Sequence, residues 1–544
     1  MGVATARCVA LRGAVGHLID VEVDVSAGQA GVALVGRADV ALREGQERVR
    51  MAVANSALEW PSSRRATILL APADLPKAGT HFDLAIAVAV LAASEQLDPR
   101  ALAATLFVGE LTLAGGLRPA PGVLPMVLAA AEHGIDRVFV PEPQAAEAAL
   151  VPGTSVFGVR SLGQVVAQLR GEPVPEAPPV AAASGAALLT WRGQQRLEEA
   201  DLADLTGMED EKFALEVAAA GGHPLLLSGA KGAGKTSLAE RIPTILPDLT
   251  AEESLELTAI HSLAGVLDPG QGLLVRPPFA APHHDASKAS LIGGGTGMVR
   301  PGAISQAHAG VLFLDEFALF RADVIDALRQ PLECGDITVA RQEESVTLPA
   351  RAILVLAANP CPCGDYVPGR GRDGCSCPER VRRDYRRKVA GPVADRIDIT
   401  RHVLAPTPAD PDPFRAPETS AVVRARVAAA RDRQRARFAG RAWRLNSQIP
   451  GPRLRDDFPV VAAARRRVDR LLYDGRLTAR GAVRVLRLAW TVADLRTAAQ
   501  ASAPGAGEDP TAPPREDDVE VALRLRCGDP LTLPPAGHRP GAAR

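Results

Sequence analysis

"HPLLLSGAKGAGKTSLAERI", residues 223–242, decides how the chain is read. An apolar run ends at Gly229, and Gly229-x-x-x-x-Gly234-Lys235-Thr236 follows the P-loop spacing. Glycines let backbone N–H groups close around phosphate oxygens, and a helix starting behind them adds partial positive charge at its N-terminus. Gly229, Ala230, Lys231, Gly232, Ala233, Gly234, Lys235, Thr236 and Ser237 are therefore the candidate nucleotide-binding residues. Lys235 is placed to reach the β- and γ-phosphates, and the Thr236 hydroxyl to bind Mg²⁺. Lys231 lies inside the loop, where solvation alone would account for it.

"GVLFLDEF" (310–317) supplies the partner half of such a site. Its apolar residues read as a buried parallel strand ending in Asp315-Glu316. Asp315 would hold Mg²⁺, and Glu316 would orient and polarise the attacking water. Paired with the P-loop, the two acids point to a nucleotide triphosphatase rather than a passive binder. A third apolar strand, "AILVLAAN" (352–359), ends at Asn359, where a polar side chain can sense the γ-phosphate. Arg396, in "GPVADRIDI", and Arg480, near the start of "LTARGAVRVLRLAWTVADL", follow in the order used by ring ATPases. There one arginine reaches the neighbour's γ-phosphate and another closes a helical lid.

Between the two nucleotide motifs lie about 40 residues rich in Gly and Pro (272–310), read as an inserted hairpin or pore-facing loop. It contains His283-His284. Neighbouring side chains on an extended chain point to opposite sides, which makes them a poor chelating pair.

Outward from this core, residues 1–170 read as a separate α/β unit. In "HLIDVEVDVS", Val21, Val23 and Val25 alternate with Glu22, Asp24 and Ser26, as in a half-buried strand. "GVALVG", "TILLAPA", "TLFVGELTL" and "RVFVPE" are further strands, with a helix over "ADVALREGQERVRMAVANSAL". Residues 171–190 form a Pro/Ala-rich linker and 191–404 the nucleotide-binding core. A Pro-rich bridge (405–418) leads to a helical region (419–530) and a polar tail (531–544).

The 544 residues carry a net charge of only −1, but charge is not evenly spread. Residues 421–500 contain 19 arginines, no lysine and 6 acidic residues, a local excess of about +13. That block is either a polyanion surface or a set of solvated helix faces. No signal sequence or membrane-length apolar run is evident, so a cytoplasmic location without a membrane partner is expected. Seven cysteines, an odd number, argue against a disulfide framework.

Taken together, the motifs carry a family resemblance. "LLAPADLPKAGTHFDLAIAVAVLAAS", "FVGELTLAGGLRPAPGVLP", "EVAAAGGHPLLLSGAKGAGKT", "APHHDASKASLIGGG", "AHAGVLFLDE", "LRQPLECGDITVAR", "AANPCPCG" and "GPVADRIDI" resemble the YifB/ComM family of magnesium-chelatase-like AAA+ ATPases over nearly the whole chain. The resemblance implies an α/β fold: a Lon-protease-like N-terminal domain, a P-loop AAA+ parallel-sheet core and an all-α C-terminal lid. It implies ATP and Mg²⁺ as cofactors and a homo-oligomeric, hexameric ring. It also implies action on single-stranded or branched DNA, as in branch migration. Lys235 and Thr236 match Walker A, Asp315 and Glu316 Walker B, Asn359 sensor 1, Arg396 the arginine finger and Arg480 sensor 2, with Arg484 the weaker candidate for the last. A protein-remodelling ATPase that docks clients on the Lon-like domain is the alternative reading.

Three departures qualify the resemblance. Where the Lon pattern has its catalytic serine and lysine, this chain has His81 and Leu124, so the fold is expected without peptidase chemistry. Nothing resembles a porphyrin-binding part. Ala280 and Ala303 replace the family's usual Arg and Glu in the presumed insertion hairpin, which bears on DNA engagement rather than hydrolysis.

"NPCPCGDYVPGRGRDGCSCP" (359–378) leaves directly from the sensor strand. Cys361, Cys363, Cys375 and Cys377 form two C-x-C pairs that can close around one structural Zn²⁺, although C-x-x-C is the commoner spacing. Free thiols and a redox or iron–sulfur role are the alternatives.

Overall fold

The structure is a computed structural model that describes residues 2–36, 39–181, 200–268, 270, 272–295, 299–341, 344–366, 375–389, 393–404, 417–501 and 512–531. Much of the linker (182–190), most of the Pro-rich bridge (405–416), part of the cysteine loop (367–374) and nearly all of the tail (532–544) lie outside the described residues.

The N-terminal strands are β1 (Gly2–Arg12), β2 (Val15–Ser26), β3 (Gly31–Val35), β4 (Arg65–Ala71), β5 (Thr105–Phe107), β6 (Glu110–Leu111), β7 (Leu117–Arg118), β8 (Arg137–Pro141) and β9 (Ser155–Val159). Seven of them form a mixed sheet in the order β3-β4-β2-β1-β5-β8-β9, and β6 with β7 makes a small ribbon. Val21, Val23 and Val25 are fully buried, matching the alternation in the sequence. The sequence reading did not name two strands of this sheet, β1 and β9. β1 is the longer of the two. Its inward residues are Ala4, Ala6, Cys8 and Ala10, which are too small to give a strong apolar alternation. "TLFVGELTL" splits into β5 and β6 instead of forming one strand.

The nucleotide-binding core adds β10 (Leu225–Gly229), β11 (Phe279–Ala280), β12 (Gly293–Gly294), β13 (Arg300–Pro301), β14 (Val311–Leu314), β15 (Asp336–Arg341), β16 (Glu344–Pro349), β17 (Ile353–Ala358) and β18 (Ile399–Val403). A five-stranded sheet runs β11-β14-β17-β10-β18, parallel throughout. β17 is inserted between β10 and β14, so three chain segments distant in sequence end side by side. In an open parallel sheet, ligands bind at such carboxyl ends. Gly229 is required by packing: a Cβ there would stand 2.3 Å from the Val403 carbonyl oxygen of β18.

The long Gly/Pro segment folds into β11, a short helix (Lys288–Ile292) and an antiparallel β12–β13 ribbon. Leu291, Ile292 and Ile304 are buried in the core with Leu312 and Leu314 of β14. Here the structure corrects the sequence reading of the two departures. Ala280 and Ala303 are both fully buried, and Ala280 pairs with Leu312 inside the main sheet, not on an exposed hairpin. A second hairpin, β15–β16, was not named from the sequence.

The C-terminal region is helical: Ser420–Arg437, Ala462–Tyr473, Ala479–Ala501 and Glu516–Cys527. Val427, Leu488 and Leu525 share one apolar cluster with Leu225 and Leu227 of β10, so these helices pack directly on one face of the sheet. Many of the block's arginines turn inward. Arg424 donates to the Thr244 carbonyl, Arg431 to that of Ala219 and Arg487 to that of Ile449, while Arg496 pairs with buried Asp518. The N-terminal unit sits on the core helix Ala251–Ala264. The Gly122 N–H donates to the Ser262 carbonyl at 3.1 Å. Glu147 accepts from the Leu124 N–H at 2.9 Å and from the Ser262 hydroxyl, and burial pushes its carboxyl pKa up. Among the described residues no helix is long and apolar enough to cross a membrane.

Candidate nucleotide-binding site

Beyond Gly229 the chain turns through residues 230–234 into a short helix, Lys235–Ala239. Gly232 and Gly234 have φ of 80° and 93°, the left-handed region where a side chain is strained, so the loop's curvature depends on these glycines. Lys235 is 7% exposed. Its Nζ donates to the carbonyls of Gly229 (2.7 Å) and Ala230 (2.9 Å) and to Asn359 Oδ1 (2.9 Å). Burial lowers its pKa, against the opposing pull of Asp315 and Glu316. The P-loop lysine and the end of β17 are thus already in contact.

Thr236 Oγ1 donates to Asp315 Oδ2 at 3.1 Å. That places a hydroxyl and a carboxylate together, the hard oxygen donors that suit Mg²⁺. Asp315 Oδ1 accepts the Glu316 N–H at 2.9 Å. Glu316 itself has φ 49° and ψ 40°, an uncommon left-handed conformation for a residue with a Cβ. Backbone strain of this type clusters at functional sites. Lys231 to Ser237, Pro282 to His284, Asp315, Glu316 and Asn359 line one cleft of about 420 Å³.

The histidines do not diverge as the sequence reading expected. The chain turns at His284-Asp285, with the Ala286 N–H donating to the His283 carbonyl at 2.9 Å. The extended geometry is lost, and the two rings lie 4.1 Å apart. Ligand atoms of His283, His284 and Asp285 gather within 4.8 Å, and His284 Nδ1 stands 3.9 Å from Glu316 Oε2. The two histidines face the cleft, and sequence spacing gave no sign of it.

The arginines lie elsewhere. Arg396, on the single turn Ala394–Arg396, pairs with Glu333 and does not line the cleft. Arg480 is 67% exposed and 3.5 Å from Asp395. Arg484 is 12% exposed and bound to buried Asp398, which also meets His223 Nδ1 at 2.7 Å. Burial pushes the Asp398 carboxyl up, but His223 and Arg484 outweigh it and hold it below the usual carboxylate range.

Just past Asn359 the four cysteines converge. Cys361 Sγ lies 3.2 Å from Cys363 and 3.7 Å from Cys375, and Cys363 lies 3.6 Å from Cys375. All four sulfurs fall within 4.8 Å, and none is disulfide-bonded. Burial pushes Cys361 up to about 12, while a hydrogen bond from the Asp365 backbone brings Cys363 down to about 6. Thiolates about 2.3 Å from a tetrahedral zinc would stand about 3.8 Å apart, so the group fits that ion.

A parallel five-stranded sheet with a P-loop, an acidic strand end and a strand ending in a polar Asn between them is the core of a P-loop ATPase of the AAA+ class. Comparison with known proteins agrees. Residues 201–410 match the family described as magnesium chelatase, subunit ChlI; residues 21–144 match subunit ChlI of Mg-chelatase; and residues 417–506 match the subunit ChlI C-terminal family. A protein of Mycobacterium tuberculosis is 44% identical over 97% of this chain and 99% of its own length. YifB of Escherichia coli is 40% identical over 88% of this chain and 90% of its own. The competence protein ComM of Haemophilus influenzae is 38% identical over 91% and 94%. The chain belongs to the magnesium-chelatase-like AAA+ ATPase family that includes YifB and ComM.

Proposed function

We propose that this chain is an ATP-hydrolysing ring motor that remodels single-stranded or branched DNA. The observation that carries the reading is the convergence of Lys235, Thr236, Asp315, Glu316 and Asn359 on one cleft. Lys235 would exchange its carbonyl partners for β- and γ-phosphate oxygens. Thr236 and Asp315 would hold Mg²⁺, which when bound neutralises phosphate charge. Glu316 would orient the attacking water, and Asn359 would report the γ-phosphate to the cysteine segment behind it. Arg396 lies off its own chain's cleft, which suits a finger serving a neighbouring copy in a hexameric ring. Arg480, exposed at the start of the Ala479–Ala501 helix, is free to close as a lid residue.

The DNA half of the reading rests on kinship with a competence protein. Cys361, Cys363, Cys375 and Cys377 would hold a structural Zn²⁺, supplying a cross-link to a Gly-rich loop. The N-terminal unit we read as a Lon-like fold used for docking. At its would-be nucleophile and base positions, His81 bonds to the Val9 carbonyl and Leu124 is sealed in the core.

The test is ATPase rate with no DNA, single strands, duplex and a branched junction. Stimulation by single-stranded or branched DNA is expected. No stimulation together with no salt-sensitive binding overturns the DNA reading and leaves the ATPase. Elemental analysis of reduced protein should find about one zinc per chain, absent in Cys375→Ser. Metal-free protein of normal stability overturns the zinc assignment.

A further inference from the structure

The helix Glu379–Val389, which follows the cysteine cluster, is strongly basic. It carries Arg380, Arg382, Arg383, Arg386, Arg387 and Lys388 against only Glu379 and Asp384. Its cations point outward. Arg380 and Arg387 are 86% and 73% exposed, and their one acidic neighbour, Asp384, is 4.0 and 3.7 Å away. Arg383 and Lys388 are exposed as well. Arg382 stacks 4.6 Å over the Tyr366 ring, which holds a guanidinium flat at the base of the helix.

The inner side of the same helix is wired to the ATP site. Tyr385 is buried, and burial pushes its phenol up to about 12, with the nearby Asn359 backbone opposing the rise. The helix packs against Phe317–Leu319, the single turn that follows Glu316. The segment leading to it reaches the P-loop, where the Lys231 N–H meets the Gly364 carbonyl at 3.4 Å. A ligand on the outer face would therefore press on the P-loop tip, the sensor residue and the turn behind the water-positioning glutamate.

We infer that this helix, clamped by the four-cysteine knuckle, is a docking face for a phosphodiester backbone and couples that contact to nucleotide turnover. The inference rests on the DNA reading above and names the surface that reading lacks. Arg380, Arg383 and Arg387 fall at i, i+3 and i+7 on one face. They span about 10 Å along the helix, so the three guanidinium groups are presented together to one side. A contact between protein copies is the poorer fit, since interface centres are depleted of charge and enriched in apolar groups. The arginine block at 421–500, the sequence's first candidate, spends Arg424, Arg431, Arg487 and Arg496 on internal partners but leaves Arg466 and Arg470 exposed, which makes them the comparison.

The experiment compares the full chain with Arg380→Gln/Arg383→Gln/Arg387→Gln and with Arg466→Gln/Arg470→Gln, using fluorescent oligo-dT across a salt series. Zinc content and melting temperature confirm folding. Each lost single-strand phosphate contact should flatten the log–log salt slope by about 0.7, so the triple variant should lose about 2 units of slope and more than tenfold in affinity. The double variant, in the C-terminal block, should keep most of both. An unchanged slope in the triple variant overturns the inference, and if self-association is lost instead, the face is a contact between copies. A loss confined to the double variant also overturns it and moves the surface to the C-terminal helices. Failure of the unaltered protein to bind any DNA overturns the function reading itself.

Discussion

The N-terminal sheet and the nucleotide cleft both bury a lysine and gather carboxylates, but only one leaves them a route to a ligand. Lys77, His81 and Asp83 are each 2% exposed or less. Lys77 is bonded to the Pro72 carbonyl, His81 to that of Val9 at 3.0 Å, and Asp83 to Arg48 at 2.8 and 3.0 Å. Burial holds His81 down at about 4 and lifts Asp83 to about 6. Perturbed titration of this kind often marks active sites. Here it marks groups sealed into a fold. In the cleft Lys235 is equally tied, yet its partners are two loop carbonyls and one side chain at an open mouth, and Glu316 beside it is 47% exposed. Access, rather than the size of a pKa shift, separates chemistry from architecture.

The largest effect should come from the open side. Glu316→Gln keeps the shape of the cleft and removes the group we propose polarises water, so ATP turnover should fall about 10²–10⁴-fold with ATP binding retained. His81→Gln, on the sealed side, should leave turnover within about twofold, because Gln can still donate to Val9 and only the packing is touched. Steady-state hydrolysis and a nucleotide-binding titration read both. Equal losses in the two variants would break the distinction.

The same contrast recurs within the core, between two arginines one turn apart. Arg484 is committed to Asp398, which is 1% exposed. Arg484→Ala would remove the cation bonded to that buried charge, a loss of about 3–5 kcal/mol. Arg480→Ala breaks only an exposed 3.5 Å pair and should cost under about 1 kcal/mol. Denaturant melts of the two variants decide it. If both are equally destabilised, Arg480 is structural and its assignment as the mobile lid residue fails.

How much of this was legible in advance followed from where sequence spacing equals spatial spacing. The P-loop is contiguous, so Gly229 to Thr236 could be read directly. Asp315, Glu316 and Asn359 were legible because each ends an apolar strand, and a parallel sheet brings strand ends together. The turn that swings His284 toward Glu316 depends on local backbone geometry between β11 and the next helix, which no periodicity encodes. β1 was missed because alanines carry little hydrophobic contrast. The 421–500 charge block was only partly legible, for a different reason. Net charge counts a guanidinium equally whether it caps a buried carbonyl, as Arg431 does at Ala219, or faces water, as Arg383 does.

The smallest effect tests the sealed side alone. His81 has its pKa lowered to about 4 from 6.5, so the native state resists a proton that the unfolded chain accepts. Stability from this group is complete above about pH 6.5 and is lost as pH falls toward 4. Asp83, raised to about 6 from 3.8, acts in the opposite direction over an overlapping window, because its native form takes up a proton more readily than the unfolded chain. The two partly cancel in the unaltered protein, and its stability between pH 7 and 5 will look deceptively flat. The informative quantity is the difference between the unaltered protein and His81→Gln at each pH, which removes every other titrating group to first order. From pH 7 to 5 the unaltered protein should lose about 2 kcal/mol relative to the variant. Equal pH dependence in the two would mean that His81 takes up its proton in the folded chain as readily as in the unfolded one. The histidine would then be reachable by water, and the N-terminal sheet would not be sealed where the comparison with the cleft requires it to be.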